Sequence, residues 1–299
     1  MDIKDKTFAF WRLLLVFSFM APSVVFSAEI SVIGSPIFDT DRHCDFRMPA
    51  ETFALALPQL AKNKVDRCQY IVHIEGLIEK KDPNIIKELQ IAQRKLYIMG
   101  ISKAPPPLWV SLNSNGGNII AAIEVGYLLR DGWYMPTSTR VQPDQSCLSA
   151  CVFLLAAGNE KEPVGNVGIH RPRFTNFETE NLSANSLEKH YDNLYILIKN
   201  YLEYLNIHPD FLDDLWSIPS QDIKILTFDD LKKYRLLGKD LVLGEMEDLE
   251  IIERCGEKAP QLRDDFFNQY REECSEDDGL ECLHRLVESH PHGDCLKRM

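Results

Sequence analysis

Short runs rich in β-branched residues alternate with segments of helical period along this chain of 299 residues. We predict strands at 69–74, 108–112, 135–141 and 164–169, with helices after Asp82-Pro83, after Gly116-Gly117 and at 151–157. Strands that alternate with helices are typical of an α/β fold with a largely parallel sheet. Residues 29–50 are expected to be extended. Beyond the alternating region we predict helices at 186–205 and 211–216, and a strand at 223–227.

Three short strings follow one another between these elements: Ser114-Asn115-Gly116-Gly117, Cys147-Leu148-Ser149-Ala150-Cys151 and Gly168-Ile169-His170. A glycine turn can present N–H groups to an oxyanion, and a serine needs a neighbouring base such as histidine to become a nucleophile. Taken singly, the first string is equally typical of an ordinary tight turn, the second of a small serine packed in the core, and the third of a histidine that simply ends a strand. Their order and spacing favour a serine hydrolase.

The first residues are predicted to be a signal peptide spanning 1–27. Lys4, Lys6 and Arg12 precede an apolar run at 13–26, and a small residue follows at Ser27, which is the pattern of a cleaved export signal. The run is shorter than the roughly 20 residues that a spanning helix needs. We therefore expect an exported, periplasmic protein; the alternative is a membrane anchor formed by residues 13–26.

The formal net charge of −12 bears on partners. A chain this acidic repels phosphate backbones, so no nucleic-acid partner is expected. Membrane contact is expected only if the N-terminal segment stays uncleaved. The composition, 45% hydrophobic and 26% charged, is ample for a buried core.

All eight cysteines lie beyond the predicted signal, and an even number in an exported chain favours disulfides. The candidates are Cys44 with Cys68, Cys147 with Cys151, and four in the tail whose pairing is open: Cys255, Cys274, Cys282 and Cys295. For Cys147 and Cys151 a disulfide that pins the turn, two buried thiols and a redox-active pair are all consistent with the sequence. Residues 246–299 are predicted to be a separate acidic, Cys-rich tail. Its cysteines and histidines lack a close Cys-x-x-Cys pair, so disulfides are favoured over zinc, and no metal is expected.

The segment from Val110 to His170 resembles the Clp protease proteolytic subunit and its relatives in the ClpP/crotonase superfamily. The likeness lies in the glycine turn, in Ser149-Ala150-Cys151 through Ala156-Ala157-Gly158, and in Ile169-His170-Arg171-Pro172; it extends more weakly over 70–243. The resemblance implies a spiral of repeated β-β-α units with a long C-terminal helix, here within an α/β domain at 28–245. One departure is Asn115, where family members usually carry proline.

The resemblance also implies roles for individual residues. Ser149 is the expected nucleophile, His170 its base, and the N–H groups of Gly117 and Ala150 the oxyanion hole. The family's acid precedes a strand that leads into a helix capped by Ser or Thr, here Thr227. Counting back from Thr227 gives Ile223, one residue past Asp222, so Asp222 is the candidate third residue, and a Ser–His dyad stays open.

The expected function is that of an exported serine peptidase that acts on peptide or protein substrates without ATP or another cofactor. Two alternatives use the same fold: a thioesterase or esterase, and a catalytically silent binding or assembly protein. Relatives assemble through the long helix, so a homo-oligomer is expected.

Overall fold

The computed structural model describes residues 28–36, 46–60, 68–98, 108–131, 136–174, 182–273 and 279–290. The predicted signal peptide, Cys44, Cys274 and Cys295 lie outside these ranges, as does the side chain of Cys68. The strands are β1 (Glu29–Pro36), β2 (Phe46–Pro49), β3 (Cys68–Glu75), β4 (Leu108–Asn113), β5 (Thr137–Val141), β6 (Ser146–Leu148), β7 (Glu160–Pro163), β8 (Asn166–Ile169), β9 (Lys224–Ile225) and β10 (Gly238–Lys239). The helices are α1 (Ala50–Leu60), α2 (Asp82–Ile98), α3 (Ile119–Asp131), α4 (Cys151–Ala157), α5 (Ala184–Tyr204), α6 (Asp210–Ser217), α7 (Phe228–Lys233), α8 (Leu241–Cys255), α9 (Ala259–Glu273) and α10 (Gly279–Ser289).

The larger sheet has seven strands in the order β10-β7-β5-β4-β3-β1-β2. Its centre is parallel, since β3, β4, β5 and β7 pair in that sense, whereas β1, β2 and β10 join it antiparallel. In β4, Val110 and Leu112 have no exposed surface. The predicted mixed α/β fold with a mainly parallel sheet centre is therefore confirmed.

A second sheet of three strands, in the order β6-β8-β9, lies beside the first. Strands β6 and β8 are parallel, and β9 is antiparallel to β8. Two isolated bridges, Ser114 with Cys147 and Ile78 with Gly117, tie the C-terminal ends of β3 and β4 to this region. Residues after β4, β6 and β8 are thereby brought to one place.

Helix α5 is anchored to the core by a buried tyrosine. Ser183 caps the helix by accepting a hydrogen bond from the Ser186 N–H at 3.2 Å. Near the other end, the Tyr201 hydroxyl is fully buried and donates to the Phe153 carbonyl in α4 at 2.7 Å. A side chain on Gly126 in α3 would collide with the Tyr201 ring. Tyr201 therefore ties helix α5 to both α3 and α4.

Most predicted elements are present, and some differ. The strand predicted at 223–227 is only two residues long, whereas Thr227 caps α7 as expected, in a reciprocal pair with Asp230. Strands β6 and β7 fall in segments for which no strand was predicted. The described part of the stretch expected to be extended forms β1 and β2, and helix α1, for which no helix was predicted, begins at its last residue, Ala50. Helix α8 runs through position 245, where the sequence suggested a domain boundary, and the tail beyond it has a small core of its own around Phe266, Cys282 and Leu286.

Within the described ranges, every helix is too short or too polar to cross a lipid bilayer.

Candidate active site

Ser149 stands at the turn between β6 and α4 in a backbone conformation that is rare for a side-chain-bearing residue. Its φ is +56°, and only two other described residues besides glycines, Asn206 and Arg235, have positive φ. Left-handed backbone costs a non-glycine residue about 1–2 kcal/mol. The Ser149 N–H donates to the Gly168 carbonyl at 2.8 Å, which continues the pairing of β6 with β8. The sharp turn leaves the side chain partly exposed at the end of the strand.

The glycine turn is attached to the strand that leads to Ser149. The Ser114 N–H donates to the Ser146 carbonyl at 2.7 Å, and the Leu148 N–H donates to the Ser114 carbonyl at 2.9 Å. The Ser114 hydroxyl accepts the Gly116 N–H at 3.1 Å and so closes the turn on itself. Strand β4 and the Ser149 turn are therefore held together by backbone bonds on both sides of Ser114.

Gly116 lies in direct contact with the Ser149 turn. A Cβ placed on it would be 2.7 Å from Ser149 Cβ, 2.9 Å from the Leu148 carbonyl oxygen and 3.0 Å from the Ala150 nitrogen. Its φ is +101°, which favours glycine in any case. The contact places Gly116 beside the backbone nitrogen of Ala150.

Two backbone N–H groups at this contact have no acceptor among the described residues. The Ile78 N–H donates to the Gly116 carbonyl and the Asn118 N–H donates to the Ile78 carbonyl, both at 2.8 Å. Gly117 lies between Gly116 and Asn118 and is paired with Ile78 in a parallel bridge. Because Ile78 bonds to the residues on either side of it, the N–H of Gly117 itself points away from Ile78. In the part of the chain that the structure describes, no group accepts a hydrogen bond from the N–H of Gly117 or of Ala150. These are the two donors expected for an oxyanion.

His170 directly follows β8, and its imidazole is oriented by the main chain. Nδ1 lies 2.9 Å from the Arg171 carbonyl oxygen. A carbonyl can only accept, so Nδ1 carries the proton in the neutral ring and the Nε2 lone pair is able to accept a proton. The backbone is held in turn, because the Arg171 N–H donates to the Ile218 carbonyl at 2.9 Å.

Ser149 and His170 lie on neighbouring chain segments but do not touch through a hydrogen bond. Gly168, the acceptor for the Ser149 N–H, precedes His170 by two positions, and adjacent strands lie about 4.8 Å apart. Within the described ranges, neither the Ser149 hydroxyl nor His170 Nε2 has a hydrogen-bond partner. In structures without substrate, catalytic hydrogen bonds are often long or poorly aligned, and they shorten when substrate binds.

Asp222, the candidate acid, is exposed, and its carboxylate makes no hydrogen bond to His170. Its backbone N–H donates to the Pro219 carbonyl at 3.0 Å. The register of β8 with β9 pairs Gly168 with Ile225 and Ile169 with Lys224. Among the described residues, no carboxylate makes a hydrogen bond to the imidazole.

An apolar surface adjoins His170 on the same side of β8. A Cβ placed on Gly168 would lie 2.7 Å from Ile223 Cγ2, 2.8 Å from Leu148 Cδ2 and 3.1 Å from Ile225 Cδ1. Ile223 and Ile225 remain 48% and 49% exposed. Three aliphatic side chains therefore converge over Gly168 and leave a hydrophobic surface open to a ligand.

Cys147 and Cys151 form a disulfide, with their Cα atoms 5.2 Å apart, so the prediction of a local disulfide around Ser149 is confirmed. Cys255 and Cys282 in the tail are also disulfide-bonded. Among the described residues, no cysteine is free, and no cluster of three or more His, Cys, Asp or Glu side chains could hold a metal ion.

The sequence could not reveal two parts of this site. The Arg171 carbonyl is a backbone acceptor and has no residue-type signature. Ile78 also bonds to the glycine turn only through its main chain, so its side chain gives no signal. The Gly116-Gly117 pair indicates that backbone from another segment approaches the turn closely, but it does not identify that segment.

No family model matches this chain, and no curated protein is significantly similar to it.

Proposed function

We propose that this protein is a serine hydrolase with a ClpP/crotonase-like spiral fold, and that it acts as a peptidase. One observation carries the proposal. Ser149 holds a left-handed conformation at a strand-to-helix turn, against a glycine turn whose Gly117 N–H has no acceptor among the described residues. A packed structural serine would require neither the strained backbone nor the available donor.

The mechanism follows from the groups at the turn. Ser149 Oγ attacks the carbonyl carbon of the scissile bond while His170 Nε2 takes its proton. The developing oxyanion accepts hydrogen bonds from the N–H groups of Gly117 and Ala150. Removal of one such donor typically costs about 3–4 kcal/mol of transition-state stabilisation. His170 then donates its proton to the leaving amine, and water enters by the reverse steps to release the acyl group.

The Arg171 carbonyl takes the orienting role that a carboxylate has in a triad. Its bond to Nδ1 keeps Nε2 unprotonated and able to accept the serine proton. A neutral carbonyl stabilises the imidazolium less than a carboxylate would. We therefore propose a Ser149–His170 dyad, with Asp222 as the candidate carboxylate only if its loop rearranges when substrate binds.

A peptide is the substrate class that best suits the surroundings. The hydrophobic surface of Leu148, Ile223 and Ile225 adjoins the histidine and would pack against an apolar side chain of the substrate. Burial of such a side chain contributes about 1.5–3 kcal/mol. This preference separates the peptidase from an esterase that recognises a polar acyl group.

Export to the periplasm and self-association complete the proposal. The disulfides at Cys147, Cys255 and Cys282 suit an oxidising compartment. Helix α5, whose Ile196 and Tyr204 are 54% and 47% exposed, is the proposed contact between subunits.

A fluorophosphonate probe tests the proposal directly, because it forms a covalent bond only with an activated serine. We expect labelling at Ser149 that is absent in Ser149→Ala and at least a hundredfold slower in His170→Ala. His190→Ala is a matched control, since the His190 ring makes the same Nδ1-to-carbonyl contact, with Ser186, on an exposed helix face. Ser217→Ala controls for loss of a hydroxyl elsewhere.

Folded wild-type protein that is not labelled would contradict the proposal, as would labelling that persists in Ser149→Ala. Peptide libraries compared with ester and thioester libraries then decide the substrate class. Turnover of esters or thioesters without cleavage of any peptide bond would exclude the peptidase.

A further inference from the structure

The Cys147–Cys151 disulfide encloses the proposed nucleophile. Cys147 lies within β6 and Cys151 is the first residue of α4, with Ser149 midway between them. Both half-cystines have no exposed surface. The bond therefore joins the strand before the Ser149 turn directly to the helix after it.

The strand side of this turn is well held without the disulfide. The Leu148 N–H donates to the Ser114 carbonyl at 2.9 Å and the Ser149 N–H donates to the Gly168 carbonyl at 2.8 Å. Both bonds run to other segments of the chain, so they fix β6 and the start of the turn.

On the helix side, α4 is buried in the core, and what it lacks is a side-chain cap at its start. Ala150 precedes α4 as its cap residue and offers no side-chain acceptor to the helix N–H groups. The first bonds of the helix are backbone bonds alone, with the Val152 N–H at 3.1 Å from the Ser149 carbonyl and the Phe153 N–H at 3.2 Å from the Ala150 carbonyl. A helix with a Ser, Thr, Asp or Asn cap would have its start specified by that side chain. In this chain the covalent bond to Cys147 ties the first residue of α4 directly to the strand before the turn.

We infer that this disulfide is a positioning element for catalysis: it holds the Ser149 hydroxyl and the Ala150 N–H in the geometry that the acyl-transfer step needs. The inference rests on the proposed function. Without the bond, Ser149 can relax from its left-handed conformation, and Ala150 moves with it. The glycine turn and the hydrophobic surface near His170 stay in place, since other bonds and contacts hold them. The chemical step is therefore impaired while substrate binding is preserved.

The test is the double variant Cys147→Ala/Cys151→Ala, assayed on an apolar peptide ester and with the fluorophosphonate probe. We expect kcat and the labelling rate to fall at least tenfold while KM changes less than twofold. Far-ultraviolet circular dichroism and a cooperative thermal transition check that the fold is retained. A purely structural role would lower the amount of active protein and leave the rate per active site, measured by burst titration, unchanged.

If the double variant does not fold, the wild-type protein is treated with a water-soluble phosphine in enough urea to expose the buried disulfide, and is then returned to native buffer. The phosphine supplies two electrons and takes up the oxygen of water, and the disulfide becomes two thiols. Because the bonds of Cys255 and Cys282 are also reduced, the fraction of each bond reduced is measured by alkylation and peptide mass. We expect activity to fall in proportion to the fraction of the Cys147–Cys151 disulfide that is reduced, and to be independent of the fraction of the tail disulfides that is reduced.

The outcomes separate this inference from the function on which it rests. If the wild type is labelled at Ser149 and the double variant is labelled equally fast, the positioning role is wrong and the hydrolase proposal stands. The positioning role is equally wrong if activity under reduction follows the tail disulfides instead. If the oxidised wild type is not labelled at all, the proposed function is wrong, and the inference falls with it.

Discussion

Substitution of Gly116 by alanine probes the closest approach in the candidate active site. The added Cβ would lie 2.7 Å from Ser149 Cβ, 2.9 Å from the Leu148 carbonyl oxygen and 3.0 Å from the Ala150 nitrogen. Non-bonded carbon atoms prefer about 3.5–4.0 Å. Two of these neighbours are backbone atoms, which cannot rotate away. The methyl group must therefore push the Ser149 turn and the glycine turn apart.

The loss of stability has two parts. At a φ of +101° alanine pays at least about 1–2 kcal/mol in backbone strain. Overpacking against a rigid neighbour adds about 1–3 kcal/mol. The sum is about 2–5 kcal/mol, to be compared with a total of roughly 5–15 kcal/mol for a typical domain.

A matched control isolates the contact from the backbone strain. Gly238 also has positive φ, +84°, but a Cβ placed there meets no atom within 4 Å. Gly238→Ala should therefore cost only the strain, about 1–2 kcal/mol. The difference between the two variants, about 1–3 kcal/mol, is the cost of the contact with the Ser149 turn.

Urea unfolding and the rate of fluorophosphonate labelling are the two measurements. A displacement of about 1 Å at a catalytic group can lower the rate on the order of a hundredfold, so Gly116→Ala should label far more slowly than Gly238→Ala. Equal stability losses in the two variants, or labelling of Gly116→Ala at the wild-type rate, would refute the close packing that defines this site.

Three further predictions follow from individual side chains. Asp222→Ala should keep labelling within about threefold of wild type, because His170 is oriented by a carbonyl; a loss as large as that of His170→Ala would make Asp222 the catalytic acid. Burial raises the pKa of Asp82 to about 6, so the folded state holds this proton more tightly and stability falls as the pH rises from about 4 to 6. Asp82→Asn should remove that dependence, and urea midpoints at several pH values check it; an unchanged dependence would contradict it. Burial lowers the pKa of Lys161 to about 8, so the unfolded chain binds this proton more tightly and stability rises between about pH 8 and 10. Lys161→Met should flatten that rise in thermal unfolding, and a persisting rise would exclude Lys161 as its source.

The parts of the fold with strong local signals were predictable from the sequence. Helix α3 has a buried face at helical spacing, and β3 is rich in β-branched residues, so each stands out without its neighbours. Strand β7 does not, because its sequence Glu-Lys-Glu-Pro is polar and becomes a strand only through its pairing with β5 and β10. Whether a short polar segment forms a strand depends on the strands that pair with it. Partners distant in sequence leave no periodic pattern in the segment itself, so its sequence does not reveal them.

The candidate site also has parts that were predictable from the sequence and parts that were not. Ser149, Gly117 and His170 belong to strings whose residue types suit a defined chemistry, and backbone bonds from Ser114 and to Gly168 bring the three strings together. The third member of a triad was not predictable, because the acceptor that His170 uses is a peptide carbonyl. The local disulfide was one of several interpretations of Cys147 and Cys151, since spacing alone does not report oxidation.

Asn115 offers a last test of how the glycine turn is kept rigid. Proline at this position would restrict the turn before folding, and this chain lacks it. Rigidity comes instead from bonds made after folding, through the Ser114 hydroxyl and the main chain of Ile78. Within the described residues, no group accepts the Asn115 N–H, and φ at Asn115 is not positive, so proline would forfeit no bond there.

Asn115→Pro should therefore leave the labelling rate unchanged and raise the free energy of unfolding by about 0.4–1 kcal/mol, because proline restricts the unfolded chain. Urea unfolding beside the labelling assay measures both quantities. Asn115→Ala, which removes the side chain without restricting φ, is the matched control. Lower stability or slower labelling in the proline variant alone would mean that Asn115 needs a backbone conformation which proline cannot adopt. The bonds from Ser114 and Ile78 would then be holding a turn of a different shape.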